Sequence, residues 1–345
     1  MNVKPSIAGA LIALLAVIAA VLAASGLART SSPAAAPAAP TAQHAALKVG
    51  LVTDIGGLND RSFNHSAYVG LQRAGTQLGV DTRVLESHSG SDYIPNLSTL
   101  AQQNYDLVIG VGFLMADAIK TVAEKFPNTK FMIVDSAWPA GGPTNLEGTV
   151  FHEEQAGYLV GYLSGLIETG KKVISSVGGQ KIPPVDHYIA GFIAGAHAAN
   201  PKIKELNGYS QDFVAQDKCK NLALQQISQG SKVVFQVAGG CGLGALDAAK
   251  SKHVWGIGVD VDQAYLGPDI LTSAVKRVDN DVFSTIRQVK AGAFKGGQTY
   301  AYQVSNGGID IGKISPKVPK KFVKKVMAVK VKIGKHLIKI PSTVK

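Results

Sequence analysis

Residues 47–78 read LKVGLVTDIGGLNDRSFNHSAYVGLQRAGTQL, and this stretch decides the fold class. It begins with an apolar, β-rich run at 47–53 and continues through a polar loop that contains glycine. It ends at 62–78 in a pattern typical of a helix, whose apolar side chains are Ala67, Val69, Leu71 and Leu78. The order of strand, loop and helix predicts the first part of a β-α-β unit.

The same alternation repeats along the chain. Further strands are predicted at 82–85, 107–111 and 131–134, with a helix at 115–125. A second series has predicted helices at 153–168, 185–199, 215–229 and 243–250 and predicted strands at 172–177, 203–209, 233–237 and 254–259. Such alternation requires parallel strands with right-handed crossovers. We therefore predict an α/β protein built from two doubly wound, parallel-sheet lobes.

The composition agrees with a globular α/β protein of this kind. The chain has 345 residues, of which 46% are hydrophobic and 17% charged, so a mainly disordered chain is excluded. Only 7% of the residues are aromatic. The core is therefore expected to consist mainly of Ala, Val, Ile and Leu, as in parallel sheets that helices cover.

The net charge of +11 is concentrated at the C-terminal end. Residues 311–345 contain eleven lysines and no Asp or Glu, and the other 24 basic residues balance the 24 acidic ones. We interpret this tail as a helix and a strand with a solvated lysine face. Contact with anionic lipid, nucleic acid or a protein partner is the alternative. Since the chain carries no known nucleic-acid motif, we predict no nucleic-acid partner.

The N-terminal 29 residues have the pattern of an export signal. Lys4 precedes an apolar stretch at 7–24, and small residues and Arg29 follow. We predict a signal peptide at 1–29, with an uncleaved membrane anchor as the alternative because the apolar run is near the lower limit for spanning a bilayer. Residues 30–46 are rich in Ala and Pro and predict a flexible tether. The protein is thus expected to be exported, either to a periplasm or to the cell surface.

The cysteines and histidines indicate neither a metal site nor a catalytic residue. Cys219 and Cys241 are the two cysteines, and an exported protein allows a disulfide between them. The eight histidines are scattered, without the spacing of metal ligands. The glycines around Gly240 lack the spacing of a dinucleotide fingerprint, and no P-loop lysine follows them. We predict no cofactor.

The positions that follow the predicted strands are polar or rich in glycine. In open α/β sheets, ligands bind beyond the carboxyl ends of the strands. The first series presents 54–64, 110–113 and 135–136 there, and the second presents 178–179, 210–213, 238–242 and 260–263. Two such rims that face each other would form a cleft.

Some of these residues have a purely structural alternative. Phe63 and Phe213 occupy strand-to-helix loops in both halves, which suits stacking on a flat ligand, but core packing is the other interpretation. Asp60 and Ser62 suit the N-terminal cap of a helix.

Several of these strings together resemble one known family. VTDIGGLNDRSFN at 52–64, GVGF at 110–113, Asp135, GVDVDQ at 258–263 and TSAVK at 272–276 resemble the basic membrane protein family, over roughly 48–341. Its members are substrate-binding components of ABC importers and include purine nucleoside receptors. The resemblance implies a periplasmic-binding-protein-like fold of type I with a hinge.

The lobes of such a fold are expected to be discontinuous in sequence. We place the first lobe at 47–135 and about 265–298, and the second at about 150–260 and 299–345.

The resemblance also implies how a nucleoside base would be held. Phe63 and Phe213 would stack on its two faces. Asp54 would accept hydrogen bonds from N–H groups of the base, with Asn64 and Asp135 nearby.

The ribose would be bound by other residues. Asp260 would accept from its hydroxyl groups and Lys276 would donate to them, with the backbone at Gly239 as a further contact. The lipid-attachment cysteine of many tethered receptors is missing near the end of the signal.

We therefore predict an exported, non-enzymatic solute-binding protein that captures a nucleoside, with a purine base favoured, and delivers it to an ABC permease and its ATPase at the membrane surface. One alternative is a nucleoside hydrolase-like enzyme, for which Asp54, Asp60, Asp135, Asp260 and Asp262 would supply carboxylates. Another alternative is a signalling receptor without a transporter.

Overall fold

The computed structural model describes residues 46–170 and 172–344. The predicted signal peptide at 1–29 lies outside the described residues, and so does the predicted tether at 30–46 except for Ala46. Among the described helices, none is long and apolar enough to cross a membrane.

Strands and helices alternate along the described chain. The strands are β1 (Lys48–Val52), β2 (Asp81–Leu85), β3 (Leu107–Val111), β4 (Lys130–Val134), β5 (Leu146–Phe151), β6 (Val173–Gly178), β7 (Lys204–Tyr209), β8 (Ser231–Val237), β9 (Trp255–Asp260), β10 (Ile270–Lys276), β11 (Thr299–Tyr302) and β12 (Ile309–Ile311). The helices are α1 (Phe63–Leu78), α2 (Tyr93–Gln102), α3 (Ala116–Lys125), α4 (Glu153–Ile167), α5 (Pro183–Ala199), α6 (Gln216–Ser228), α7 (Gly239–Ser251), α8 (Val278–Lys290) and α9 (Lys320–Gly334).

The strands form two six-stranded sheets with the same type of winding. Their orders are β11-β5-β4-β3-β1-β2 and β12-β10-β9-β8-β6-β7. The strand pairs are parallel except for β10 and β12, which are antiparallel. In each sheet the strand order reverses between two neighbours, β1 and β3 or β6 and β8, which is where doubly wound sheets bind ligands. The predicted fold class is confirmed.

Burial explains why the strands have such apolar sequences. β3 reads LVIGV and is buried at all five positions, because helices cover both faces of the sheet. β2 lies at a sheet edge, and three of its residues are exposed.

Helices α4 and α5 pack unusually closely in the second lobe. A Cβ atom at Gly161 would overlap the carbonyl oxygen of Phe192, and one at Gly195 would overlap that of Tyr158. Glycine therefore allows the two helix backbones to approach each other, which fixes the positions of the side chains that these helices direct toward the cleft.

The chain passes between the two sheets three times within the described residues: from β5 to α4, from β10 to α8 and from β11 to β12. We define the first lobe as the β1 sheet with α1, α2, α3 and α8, and the second as the β6 sheet with the remaining helices. The lobe boundaries therefore differ from the predicted ones. β5 and β11 belong to the first sheet, and β10 belongs to the second. β5 pairs with β4 and β10 with β9, the strand that precedes each, while β11 pairs with the distant β5. Sequence periodicity does not reveal these pairings.

The two cysteines are joined by a disulfide in the second lobe. Cys219 lies on α6 and Cys241 on α7, both fully buried, with their Cα atoms 5.6 Å apart. The bond therefore links two helices that also pack against each other.

The C-terminal region forms the predicted helix, α9. No strand follows it up to residue 344, so the predicted terminal strand is wrong. Instead, Pro341, Thr343 and Val344 line a surface pocket together with residues of α5.

A candidate ligand-binding cleft

A cavity lies between the carboxyl ends of the two sheets. The empty space there is about 540 Å³, a figure that includes open solvent at the mouth. The structure brings all the predicted ligand-binding residues to its wall: Asp54, Phe63, Asn64, Asp135, Phe213, Gly239, Asp260 and Lys276. Their contact with a ligand stays a prediction.

Two phenylalanines line the cavity from different lobes. Phe63 is the first residue of α1, and Phe213 lies in the loop between β7 and α6. The ring of Phe213 packs directly against Gly179, where a Cβ atom would overlap the ring. Because both side chains are only partly buried, their rings present apolar surface to whatever occupies the cavity.

Asp54 is held in place by its neighbours. Its Oδ1 accepts hydrogen bonds from Asn64 Nδ2 and from the backbone N–H of Gly56, each at 2.8 Å. Asn64 Nδ2 also lies 3.2 Å from an Asp60 oxygen. The two amide hydrogens of Asn64 are thus directed at carboxylates, so this residue positions Asp54 instead of offering a free donor. Burial raises the pKa of the Asp54 carboxyl.

Asp60 caps the first helix. Its carboxylate accepts from the backbone N–H groups of Ser62, Asn64 and His65, at 2.9, 2.7 and 3.1 Å. The capping interpretation of Asp60 therefore fits the structure. Ser62 acts differently, because its Oγ donates to Asp260 Oδ2 across the cleft at 2.6 Å.

Lys276 is the centre of a buried charge cluster. Its side chain is 2% exposed, and its Nζ lies 2.7 Å from Asp135 Oδ2, 3.3 Å from Glu153 Oε1 and 4.0 Å from Asp260 Oδ1. Burial disfavours the ammonium, but the three carboxylates outweigh this effect and raise the pKa of Lys276. Since Asp135 belongs to the first lobe and Lys276 to the second, their ion pair also joins the lobes. Lys276 Nζ lies 4.6 Å from the centre of the Phe63 ring.

Asp135 and Asp260 occupy similar places in the two lobes. Asp135 directly follows β4 and Asp260 ends β9, and both have left-handed backbones, with φ of 66° and 63°. Such strain in non-glycine residues is concentrated at functional sites. Asp260 accepts from Ser62 and from the Tyr188 hydroxyl, the latter at 3.2 Å. Asp135 Oδ1, by contrast, is buried and has no hydrogen-bond partner among the described residues.

Sequence reasoning missed two polar residues of this site. Glu153 begins α4 two residues after β5, a strand that the sequence did not predict, and Tyr188 lies within α5. Both reach the cluster through the close packing of their helices. The rule that looks at strand ends finds Glu153 only when β5 is assigned, and it has no means of finding Tyr188. An inward-facing Tyr on a glycine-rich helix was the available signal.

One group of side chains near the cleft has the composition of a metal site. Donor atoms of Glu153, Glu154 and His187 lie within 4.8 Å of one another. His187 Nδ1 hydrogen bonds to Glu153 Oε2 at 3.0 Å, while Glu154 pairs with His152 at 2.8 Å. These contacts account for the donor atoms, so we assign no metal to them.

Residues 47–344 match the family model of the Bmp family, described as PnrA-like ABC transporter substrate-binding proteins. The chain belongs to the Bmp family. A related CD4+ T-cell-stimulating antigen of Listeria monocytogenes is 37% identical, over 85% of this chain and 87% of that protein. The ABC transporter nucleoside-binding protein BmpA of Lactococcus lactis is 34% identical, over 77% of this chain and 81% of that protein.

Solved structures show the same architecture. A solute-binding protein of an ABC transporter system from Aeropyrum pernix matches with a TM-score of 0.78, at 24% identity, over 87% of this chain and 94% of that one. The predicted family and the predicted periplasmic-binding-protein-like fold are therefore confirmed.

Family membership also defines the general role. The chain is a substrate-binding protein of the ABC transporter type, and the Bmp family is one of binding proteins instead of enzymes. This role implies a ligand, a membrane transporter as partner and an exported or cell-surface location.

Proposed function

We propose that this protein binds a nucleoside, with a purine base favoured, between its two lobes and presents it to the permease of an ABC importer. The observation that carries the proposal is that aromatic rings from both lobes and buried carboxylates line the same cavity. Phe63 and Phe213 supply apolar surface from opposite lobes, and Asp54, Asp135 and Asp260 supply acceptors beside them.

The base is expected to lie between the two aromatic rings. Stacking contributes apolar contact but discriminates little between bases, so the polar groups decide specificity. Asp54 suits this role because Asn64 and the Gly56 N–H fix one of its oxygens and so orient the carboxylate. A ligand that lacks a donor at this point would leave a buried acceptor unpaired, which costs about 1–3 kcal/mol.

The ribose is expected to lie near Lys276. Asp135 Oδ1 is an acceptor without a partner among the described residues, and a ribose hydroxyl is a donor of the right type. Asp260 and the Lys276 ammonium border the same space, which allows hydroxyl groups both to donate and to accept. The name of the Lactococcus lactis relative, a nucleoside-binding protein, supports this choice of ligand.

The charge of the site favours a nucleoside over a nucleotide. Lys276 is surrounded by the carboxylates of Asp135, Glu153 and Asp260, so one ammonium faces three acids. A phosphate group would be repelled by these acids. It would also find the ammonium already paired at 2.7 Å.

Contacts across the cleft suggest how binding is signalled to the permease. The Ser62–Asp260 hydrogen bond and the Asp135–Lys276 ion pair both join the lobes beside the cavity. A ligand that contacts these groups would stabilise the closed arrangement, which the permease would then recognise.

Calorimetry tests the proposal directly. Titration with adenosine, guanosine, inosine and cytidine is expected to show micromolar or tighter binding of at least one purine nucleoside. Silence across this panel, combined with binding of a sugar or an amino acid, would exclude a nucleoside ligand. Chromatography after long incubation should recover intact nucleoside, and the release of free base and ribose would favour the hydrolase.

A pair of variants tests the assignment of Asp260. Asp260→Ala is expected to weaken nucleoside binding about tenfold or more, which corresponds to about 1.4 kcal/mol. Ser62→Ala is the matched control, because it removes the bond between the lobes but leaves the carboxylate in place. If the two variants lose the same affinity, Asp260 acts by joining the lobes and does not bind the ligand.

A further inference from the structure

Helix α9 presents a strongly basic surface to solvent. Val326, Val329 and Ile333 are buried against the second lobe and define its inner side. We call the outer side the basic face, and its exposed lysines are Lys320, Lys321, Lys324, Lys325, Lys332 and Lys335.

These lysines are not neutralised by nearby acids. Lys330, at the border of the helix, pairs with Asp310, and Lys317 lies 3.8 Å from Asp269. For the six lysines of the basic face, no carboxylate of the described residues lies within ion-pair distance. Because residues 311–345 contain no Asp or Glu, the positive potential at this surface is not cancelled locally.

Large apolar side chains are exposed among the same lysines. Met327 is 42% exposed and Val331 is 57% exposed, both on α9, and Leu337, just after the helix, is 69% exposed. Solubility alone does not explain large apolar side chains on an exposed helix face. Lysine combined with exposed aliphatic groups is the composition of helices that lie on a membrane surface.

We propose that the basic face binds the surface of an anionic lipid bilayer. The lysines would contact lipid phosphates, and Met327, Val331 and Leu337 would enter the interfacial region. Each lysine adds to the attraction, so six of them make it substantial. This inference does not depend on which solute occupies the cleft.

The composition of residues 311–345 favours lipid over nucleic acid. Proteins that bind single strands of nucleic acid use aromatic side chains and Arg for stacking. Residues 311–345 contain no Arg, Tyr or Trp, and their single aromatic residue, Phe322, is partly buried. Both cysteines are engaged in the disulfide within the second lobe, so neither serves for lipid attachment. In the alternative in which the apolar N-terminal stretch is an uncleaved anchor, the basic face would be a second membrane contact, and stable attachment generally needs two such signals.

Vesicle sedimentation with the full chain tests the proposal. Vesicles of phosphatidylcholine alone are compared with vesicles that also contain phosphatidylglycerol. Binding is expected to be at least about tenfold stronger to the anionic vesicles at low salt, and to weaken as salt screens the charges. The apolar N-terminal stretch is present in every sample and responds little to the charge of the head groups.

Charge reversal locates the effect. The combined variant Lys320→Glu, Lys321→Glu, Lys324→Glu and Lys325→Glu is expected to lose the preference for anionic vesicles. The matched control reverses four exposed lysines elsewhere in the second lobe, at 202, 204, 250 and 252, and should keep it. Thermal melting verifies that both variants are folded. Equal preference in the two variants would overturn the proposal.

An environment-sensitive fluorophore on Val331→Cys reports the contact itself. A blue shift of its emission with anionic vesicles, but not with neutral ones, is the expected result. An unchanged emission spectrum would contradict insertion of this face. Loss of duplex DNA binding in the α9 variant with unchanged vesicle binding would assign the surface to nucleic acid instead.

Discussion

Two groups of buried carboxyls in this protein have different partners. In the cleft, Asp135, Glu153 and Asp260 surround the ammonium of Lys276. Within the first lobe, Glu147 of β5 and Asp281 of α8 have no such cation among the residues that the structure describes. Each accepts one hydroxyl, Glu147 from Thr285 at 2.8 Å and Asp281 from Thr149 at 2.7 Å. The second oxygen of each is buried without a partner among the described residues.

The presence or absence of a neighbouring cation distinguishes the roles that these two sets of carboxyls can have. Burial raises the pKa of Glu147 to about 7 and that of Asp281 to about 8, so these carboxyls hold protons near neutral pH. They act as neutral packing groups that connect a strand to a helix. In the cleft, burial likewise raises the pKa of Asp135 to about 7 although Lys276 acts to lower it, so the difference lies in the neighbouring ammonium and in the cavity that these carboxyls border. We therefore expect a buried acid to serve binding where a cation and an opening accompany it.

Replacement of Lys276 is the strongest test of the contrast between the carboxyls of the cleft and those of the first lobe. Lys276→Met leaves three carboxylates around an apolar side chain, so nucleoside affinity is expected to fall about a hundredfold or more, which corresponds to about 2.8 kcal/mol. The free energy of unfolding is expected to fall by about 3–5 kcal/mol. Calorimetry and denaturant unfolding measure both. Lys330→Met, which alters the surface ion pair with Asp310, is the control and should change neither the nucleoside affinity nor the free energy of unfolding. Normal nucleoside binding by Lys276→Met would show that Lys276 does not contribute to the binding site.

Loss of an aromatic wall tests the part of the site that does not depend on charge. Phe63→Ala is expected to weaken nucleoside binding about tenfold or more, because the base loses one stacking surface. Phe283→Ala removes a partly buried ring from the same lobe outside the cavity, and it should leave the dissociation constant unchanged. Equal losses in the two variants would mean that general destabilisation causes the effect.

A smaller effect is expected from a substitution that displaces the Phe213 ring, on the other side of the cavity, without removing it. In Gly179→Ala the new methyl group would overlap the Phe213 ring and displace it toward the cavity. Nucleoside binding is expected to weaken severalfold, while the melting temperature changes little. Gly75→Ala, on α1, is the control because the added Cβ would make only ordinary contacts. Unchanged affinity in Gly179→Ala would show that the position of Phe213 does not matter.

The pair in the first lobe should affect stability and not binding. Its carboxyls bind protons more tightly in the folded protein than in the unfolded chain, so stability falls as pH rises from about 4 to about 8. Each group contributes at most about 1.4 kcal/mol per pH unit. Asp281→Asn removes one titrating group. Between pH 6 and pH 9, a range of about three units that spans the raised pKa values, the melting temperature of this variant is therefore expected to fall less than that of the unaltered protein.

Two controls accompany this last measurement. Asp247→Asn alters an exposed aspartate and should follow the pH profile of the unaltered protein. Nucleoside affinity should be unchanged in Asp281→Asn. A profile as steep as that of the unaltered protein would mean that Asp281 is ionised when buried.

Much of the architecture could be predicted from sequence because strands and helices alternate with clear patterns. Asp54, Asp135 and Asp260 could be placed at one cleft, since each lies at or just beyond the end of a predicted strand, whereas Lys276 was placed there by the family resemblance. The short strand β11 could not be assigned, because the strand that it pairs with, β5, lies far away in the chain. β5 was missed although it also pairs with β4, the strand that precedes it.

The roles of the site residues were harder to predict than their positions. Asn64 was expected near the base, but its amide hydrogens are directed at Asp54 and Asp60. Glu153 was missed because the strand before it, β5, was not predicted, and Tyr188 was missed because it reaches the cleft from the interior of a helix. The absence of a cation beside Glu147 and Asp281 is a property of packing that no local pattern shows.

A crystal structure of the protein with saturating inosine tests the central claim most directly. We expect planar density between the rings of Phe63 and Phe213, with the ribose directed toward Lys276 and Asp260 and a hydroxyl within hydrogen-bond distance of Asp135 Oδ1. Density for the nucleoside outside the space between the two rings, or an empty cleft despite saturation in solution, would contradict it.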